Sequence, residues 1–437
     1  MAKYRKTLFP LMLVMLIIIT GCGNQEIYVM SEDNVSVSGN NASVSENALV
    51  EDVPDDELLQ ETGAGDNSDN GEVLQDAEKE DSRIETEPEY KTVKVKGIYV
   101  TGPIAGTEKM DELITLVEST ELNAVVIDVK NDEGVVTYKM QSDTVLEIES
   151  GVRYISDIEE LIKKLHEKDI YVIARIVAFK DPYLAEKKPE LCLKTDTGAV
   201  FRDKNGEAWV NPYKQEVWDY LVEIGAQAAK DGFDEIQFDY IRFSTDTNAK
   251  NIDYGEEAEL MTKEEAITGF ARYAYDKLHP LGVMVSADVF GTIIDNESDA
   301  EIVGQNYQEM ATCLDYICPM VYPSHYSNGV YGLDIPDKEP YNTVYQAMGE
   351  SKKKLDALTV DEEPDESVRI AGVRVWIQDF TATWLKGHIS YGPDEVRAQI
   401  QAIYDAGYEE WILWNARMNY TEGALLPNWQ EPETQTE

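Results

Sequence analysis

Histidine is scarce in this chain, with four residues in 437. They are His166, His279, His325 and His388, widely scattered, and only His325 falls beside the end of an expected strand. A histidine-built metal centre or a Ser-His-Asp triad needs imidazoles brought together with their partners, so neither is expected. A Gly-x-Ser-x-Gly elbow is also missing. No metal ion and no cofactor is expected. Cysteine is as sparse: Cys22, Cys192, Cys313 and Cys318. That excludes a disulfide framework, and Cys318, inside an apolar run, reads as a small core residue. Positive charge is the third shortage. Lys and Arg total 38 against 84 Asp and Glu, a formal charge of −46. Phosphate contacts need cations, so nucleic acid and other polyanions are excluded as partners. Such a charge also keeps a protein soluble and repelled from anionic surfaces. Finally, the turn after the first expected strand, Gly102-Pro103-Ile104-Ala105-Gly106, is a poor match to a dinucleotide-binding fingerprint.

The amino terminus carries an address. Lys3, Arg5 and Lys6 precede the apolar run Leu8 to Ile19, followed by Ile19-Thr20-Gly21-Cys22. A basic segment before a short apolar one reads as a secretory signal over 1–21, too short for a comfortable membrane span. Cys22 after two small residues resembles a bacterial lipobox, which makes Cys22 the lipidated first residue of an extracytoplasmic, membrane-anchored protein. An ordinary signal peptide is the other reading. Residues 22–90 read as a disordered acidic tether. From residue 23 to 90 there are twenty acidic and two basic residues and almost no aromatics. Such a segment buries too little apolar area to offset its ordering entropy, and its own charge extends it. A second disordered stretch is expected over 426–437.

From Lys91 to about residue 425 the texture changes to a single domain. Near-continuous apolar runs alternate with helical patterns. The strands are expected at 96–101, 124–129, 170–177, 234–243, 283–290, 316–322, 370–378 and 410–415. Helices are expected between them, near 107–119, 155–168, 214–230, 263–278, 300–312, 341–357 and 393–406. Eight such strands, each but the last followed by a helix, predict a parallel sheet closed into a (β/α)₈ barrel of the α/β class. A doubly wound open sheet is the rival.

The informative residues stand at the carboxyl ends of these strands, which share one rim of a barrel. They include Asp128, Asp239 and Asp288, with Tyr322 and His325, Gln378, Trp414 and Asn415. Acids at the ends of apolar runs are costly to bury without a purpose. Paired carboxyls with aromatic faces form the chemistry of a sugar site, one acid donating a proton and the other acting as nucleophile or base. Asp239, Asp288 and Asp128 are the candidate catalytic residues. Arg175, Arg242, Trp209, Tyr322, Trp376, Gln378, Trp414 and Asn415 are candidates for contact with substrate. A structural reading stays open for each: Asp239 with Arg242 as an ion pair capping a strand, Asp128 as a helix cap or loop anchor, Tyr322 and Trp414 as rim packing. The acidic segment 246–257 fits no twelve-residue calcium loop and reads as a solvated insertion.

Four stretches carry a resemblance: Lys96-Gly97-Ile98-Tyr99-Val100, Val126 to Gly134, Phe233 to Phe243, and Cys318-Pro319-Met320-Val321-Tyr322-Pro323. From about Val95 to Tyr420 the chain resembles a bacterial family of glycosyl hydrolase barrel domains, first catalogued as a domain of unknown function. Its activity is largely inferred from fold, with distant similarity to α-amylase and α-galactosidase barrels. The resemblance implies hydrolysis of a carbohydrate, with the nucleophile on Asp239 and the acid on Asp288. The acid of the amylase-like branch is usually Glu, and its Arg precedes the nucleophile, whereas Arg242 follows Asp239. A barrel that binds glycan or cell wall without cutting it is the alternative. Oligomeric state is not legible.

Overall fold

The computed structural model describes residues 90–359 and 369–428. The expected signal segment, the lipidation site Cys22, the tether and the last residues of the expected tail lie outside the described residues. Eight parallel strands close into a barrel: β1 (Lys96–Val100), β2 (Ala124–Lys130), β3 (Tyr171–Val177), β4 (Glu235–Asp239), β5 (Met284–Phe290), β6 (Tyr316–Val321), β7 (Gly372–Gln378) and β8 (Glu410–Trp414). Closure is made by β1 against β8, Gly97 pairing with Ile412. The strands are buried almost throughout because helices cover their outer faces while side chains fill the interior.

The helices follow their sequence signals: α1 (Lys109–Ser119), α2 (Ile158–His166), α3 (Gln215–Asp231) and α4 (Lys263–Leu278), then α5 (Glu297–Val303), α6 (Tyr307–Ala311), α7 (Pro340–Asp356) and α8 (Pro393–Asp405). Asp157 caps α2 by accepting the Glu160 N–H, and Thr262 with Glu265 closes a capping box at the start of α4. The single helix expected over 300–312 is two. Between α5 and α6 lies Gly304 at φ +75°, where a Cβ would come within 2.9 Å of the Lys263 carbonyl. The fourth strand, expected to run to Phe243, stops at Asp239, since Tyr240 turns into the left-handed region at φ +48°.

Below the rim the barrel is not purely apolar. Arg374 donates to both oxygens of Glu235, at 2.7 and 2.8 Å, and to Glu410 at 3.1 Å. Ser286 and Tyr171 also donate to Glu235, and the Tyr316 ring lies 4.0 Å from the guanidinium. Each buried charge here is paired and hydrogen-bonded, which is the condition for tolerating it. Above the rim, the long loops after β3 and β4 are stitched by a short antiparallel ribbon, Lys194–Thr195 with Ile252–Asp253. The segment read as a solvated insertion thus supplies one half of that ribbon. Cys192, Cys313 and Cys318 are buried and unpaired.

Candidate active site

Side chains alternate along a strand, so Glu235, Gln237 and Asp239 share the inner face of β4, and Ser286 shares it with Asp288 on β5. Gln237 pairs with Ser286 and Phe238 with Ala287, and the same register brings Asp239 and Asp288 to one height on neighbouring strands. The two are 4% and 2% exposed, at the carboxyl ends where a barrel builds its sites.

Arg175, projecting from β3 between β2 and β4, organises one side of this rim. Its Nε and Nη2 donate to Asp239 Oδ2 at 2.8 and 2.5 Å, and its Nη1 donates to Asp128 Oδ1 at 2.8 Å and to Asp132 Oδ2 at 3.4 Å. Three carboxyl groups therefore converge on one guanidinium, whose planar fork suits this role. The Tyr99 hydroxyl donates to Asp128 Oδ2 at 2.7 Å. The Tyr240 N–H, turned back by its left-handed backbone, donates to Asp239 Oδ1 at 2.6 Å. A bulky residue in that conformation is strained, and strain of this kind gathers at functional sites. On the other side, Trp376 Nε1 donates to Asp288 Oδ1 at 2.6 Å.

The environment separates the acids. Burial pushes the Asp128 carboxyl up to about 6; Arg175 works against this rise, and the neighbouring Asp132 adds to it. Partial burial works upward on Asp132 as well, yet Arg175 and Lys180 hold it below its usual range. Its side chain remains 39% exposed, so solvent screens part of that effect. Lys180 follows β3, pairs with Glu207 at 2.8 Å and lies 5.0 Å from the Tyr240 ring.

The expected sugar-contact residues divide into several groups. Trp414 stacks on Tyr99 with centroids 4.3 Å apart and meets Trp376 edge-on at 5.7 Å, and Arg175 lies over Tyr99 and Trp414. Arg175, Trp376 and Trp414 are thus brought together with the three acids. Arg242, read beforehand as a possible ion partner of Asp239, is enclosed by the rings of Phe290, Tyr240 and Trp209 at 4.5, 4.9 and 5.1 Å. The ion partner of Asp239 is Arg175. Trp209 donates its Nε1–H to Asp203. Gln378 is fully buried and spans a loop base, donating to Asp337 and Phe380 and accepting from Ser324. Asn415 donates across to the Asp379 carbonyl after β7 and to the Asn419 carbonyl within its own turn. Tyr322 packs edge-on against His325 and Phe380. Sequence reasoning did not single out Tyr99, Asp132 or Lys180. The position of Tyr99 near the end of an apolar strand was the available signal.

An eightfold barrel with carboxyls and aromatic rings on its carboxyl rim defines a glycoside hydrolase-like barrel. The chain belongs to the family described as "Putative glycosyl hydrolase domain", whose model matches residues 97–420. A search of curated proteins finds no match. Among solved structures, a hypothetical protein from Ruminiclostridium thermocellum ATCC 27405 is 39% identical, over 44% of this chain and 97% of that one, with a TM-score of 0.41. The PgaB (BpsB) glycoside hydrolase domain from Bordetella bronchiseptica is 12% identical, over 74% of this chain and 94% of that one, at TM-score 0.52. It shares the fold. The α-galactosidase TtGalA from Thermus thermophilus is 10% identical over 76% and 60% of the respective chains, at TM-score 0.44.

Proposed function

We propose that this barrel is a retaining glycoside hydrolase acting on a poly- or oligosaccharide, with Asp239 as nucleophile and Asp288 as acid and base. The observation that carries the reading is the register-matched placement of Asp239 and Asp288 on adjacent strands, each oriented by a different donor. Strands about 4.8 Å apart keep the two acids within reach of one glycosidic bond, as a carboxylate pair requires. Asp288 protonates the glycosidic oxygen while an Asp239 oxygen attacks the anomeric carbon, and the leaving sugar departs. Water then gives its proton to Asp288 and displaces Asp239. Arg175 and the Tyr240 N–H hold the nucleophile in place through the reaction.

One observation favours a second assignment of the acid. A carboxyl raised to about 6 is suited to proton donation, and Asp128 has that property beside the same guanidinium. The test is a panel of soluble polysaccharides and aryl glycosides offered to the purified protein, with mass detection of products. Asp239→Asn is expected to abolish turnover. The true acid, on replacement by Asn, leaves aryl glycosides with good leaving groups cleavable while natural glycans resist. Asp288→Asn and Asp128→Asn are compared for that pattern. Glycan binding with no product from any substrate overturns the hydrolase reading in favour of a binding module. We further propose that Cys22 anchors the mature protein by lipid outside the cytoplasm, on the support of the sequence pattern alone.

A further inference from the structure

The loop after β7 carries Trp384, whose surface is 47% exposed. Among the described residues it is the only exposed tryptophan, and it extends an aromatic group rather than standing singly, the kind of surface that marks binding. Its ring stacks on Phe380, with centroids 5.9 Å apart and planes 23° apart. His325 stands edge-on to both rings, and Tyr322 closes the group against Phe380 and His325. His325 keeps some contact with solvent, but the rings around it withdraw its imidazole from water and push its pKa down to about 4. The cluster is uncharged at neutral pH.

The loop holding Trp384 is fastened at its base. The fully buried Asp337 accepts from the Gln378 side chain at 3.2 Å and from the Ile389 N–H at 3.1 Å. Tyr391 N–H donates to Thr381 at 3.0 Å. Both ends of the excursion are tied, so the indole is presented on a fixed mount, which lowers the ordering cost of binding. The mount rises from the carboxyl end of β7, the strand that also supplies Trp376 to Asp288.

We propose that Trp384 and Phe380 form a stacking platform for a pyranose ring of a neutral glycan, at a subsite apart from the carboxyl pair. This rests on the glycoside hydrolase reading and assigns it a distal subsite. The apolar face of the sugar lies on the indole. The stacking rings offer no charge of their own, and the chain's −46 disfavours an anionic glycan, so a neutral one is the probe. The rim cations described here are engaged within the protein: Arg175 by three carboxyls, Arg242 among rings and Lys180 with Glu207.

The test uses the full chain, the neutral oligosaccharide series that the wild type cleaves, and one aryl monosaccharide of the same sugar. Trp384→Ala is expected to lower kcat/KM on long oligosaccharides and weaken their binding by roughly three- to tenfold, the range of one aromatic contact. Turnover of the aryl monosaccharide and the melting temperature stay unchanged, and Trp384→Phe recovers most of the loss. Equal activity of Trp384→Ala on long and short substrates overturns the platform while the hydrolase reading stands. Equal loss on both overturns it as well, assigning Trp384 to the catalytic centre or to folding. A wild type that neither binds nor cuts any glycan removes both readings. A change in oligomeric state on Trp384→Ala overturns the sugar platform in favour of contact with a second copy.

Discussion

At the scale of single residues, the rim is governed by one guanidinium. Arg175 is 1% exposed and touches Asp239, Asp128 and Asp132. Arg175→Met leaves buried carboxyls facing one another without a cation, and removing one partner of a buried pair costs about 3–5 kcal/mol. Chemical denaturation is expected to show a loss on that scale. Asp239→Gln also lengthens a side chain fixed at both oxygens, so Asn is the better probe of charge. Asp128 gives a pH signature with a definite sign. Its folded carboxyl titrates near 6, above the usual 3.8, so folding favours its protonated form. Its stabilising contribution is present below about pH 4 and is lost as pH rises through about 6. Relative to wild type, Asp128→Asn is therefore expected to melt at progressively higher temperature as pH rises across that window. A melting difference independent of pH contradicts this assignment.

At the scale of elements, three ion pairs decide how strands and loops are held. Arg374 on β7 reaches β4 and β8 through Glu235 and Glu410 inside the barrel. Lys130, at the end of β2, pairs with Asp181 at 2.8 Å, with both side chains fully buried. A register shift between Asp128 and Lys130 accommodates this reach. Asp181 also accepts the Leu184 N–H and caps the helix Pro182–Lys187. Gly134, at φ +83°, passes so close that a Cβ would sit 2.0 Å from Asp181 Oδ1. Asp181→Ala strips the cap and strands the Lys130 charge, with an expected cost of about 3–5 kcal/mol in a denaturant titration. The double change Lys130→Met with Asp181→Ala is expected to recover part of that loss, because no unpaired charge remains. An undiminished loss would assign the effect to the cap.

At the scale of the molecule, the chain enters the barrel through Tyr90. Its ring stacks on His279 at 4.2 Å, His279 stacks on Tyr275 at 4.5 Å, and the Tyr90 hydroxyl donates to the His279 carbonyl. This lies at the amino-terminal face, opposite the rim. Cys22→Ala is expected to shift the protein out of the detergent-extracted membrane fraction or leave its leader uncleaved; unchanged membrane association would count against lipidation. A chain beginning at Tyr90 is expected to melt within about 4 °C of the mature protein, since a larger change corresponds to roughly 1 kcal/mol or more in a domain of this size. At the far end, Asn428 donates its N–H to the Ser119 carbonyl, so packing continues to that residue.

The sequence by itself determined the architecture and the rim. Parallel strands covered on both faces must be apolar along their length, so each appears as a continuous run. An acid at the end of such a run then stands out, which made Asp128, Asp239 and Asp288 legible. Which partner each acid takes was not. Arg175 lies 47 residues from Asp128 and 64 from Asp239, and Trp376 lies 88 from Asp288. Those contacts exist because barrel closure and strand register bring distant positions to one height, and no local pattern encodes register across several strands. The left-handed turn at Tyr240 was hidden for a similar reason. An aromatic residue continues a strand by propensity, and only the fixed Asp239 on one side and the packed Arg242 on the other impose the opposite sign of φ. Trp384 sat in a loop with no periodicity to mark it. The buried Asp337, a contact made by tertiary folding, is what turns that loop into a fixed feature of the rim.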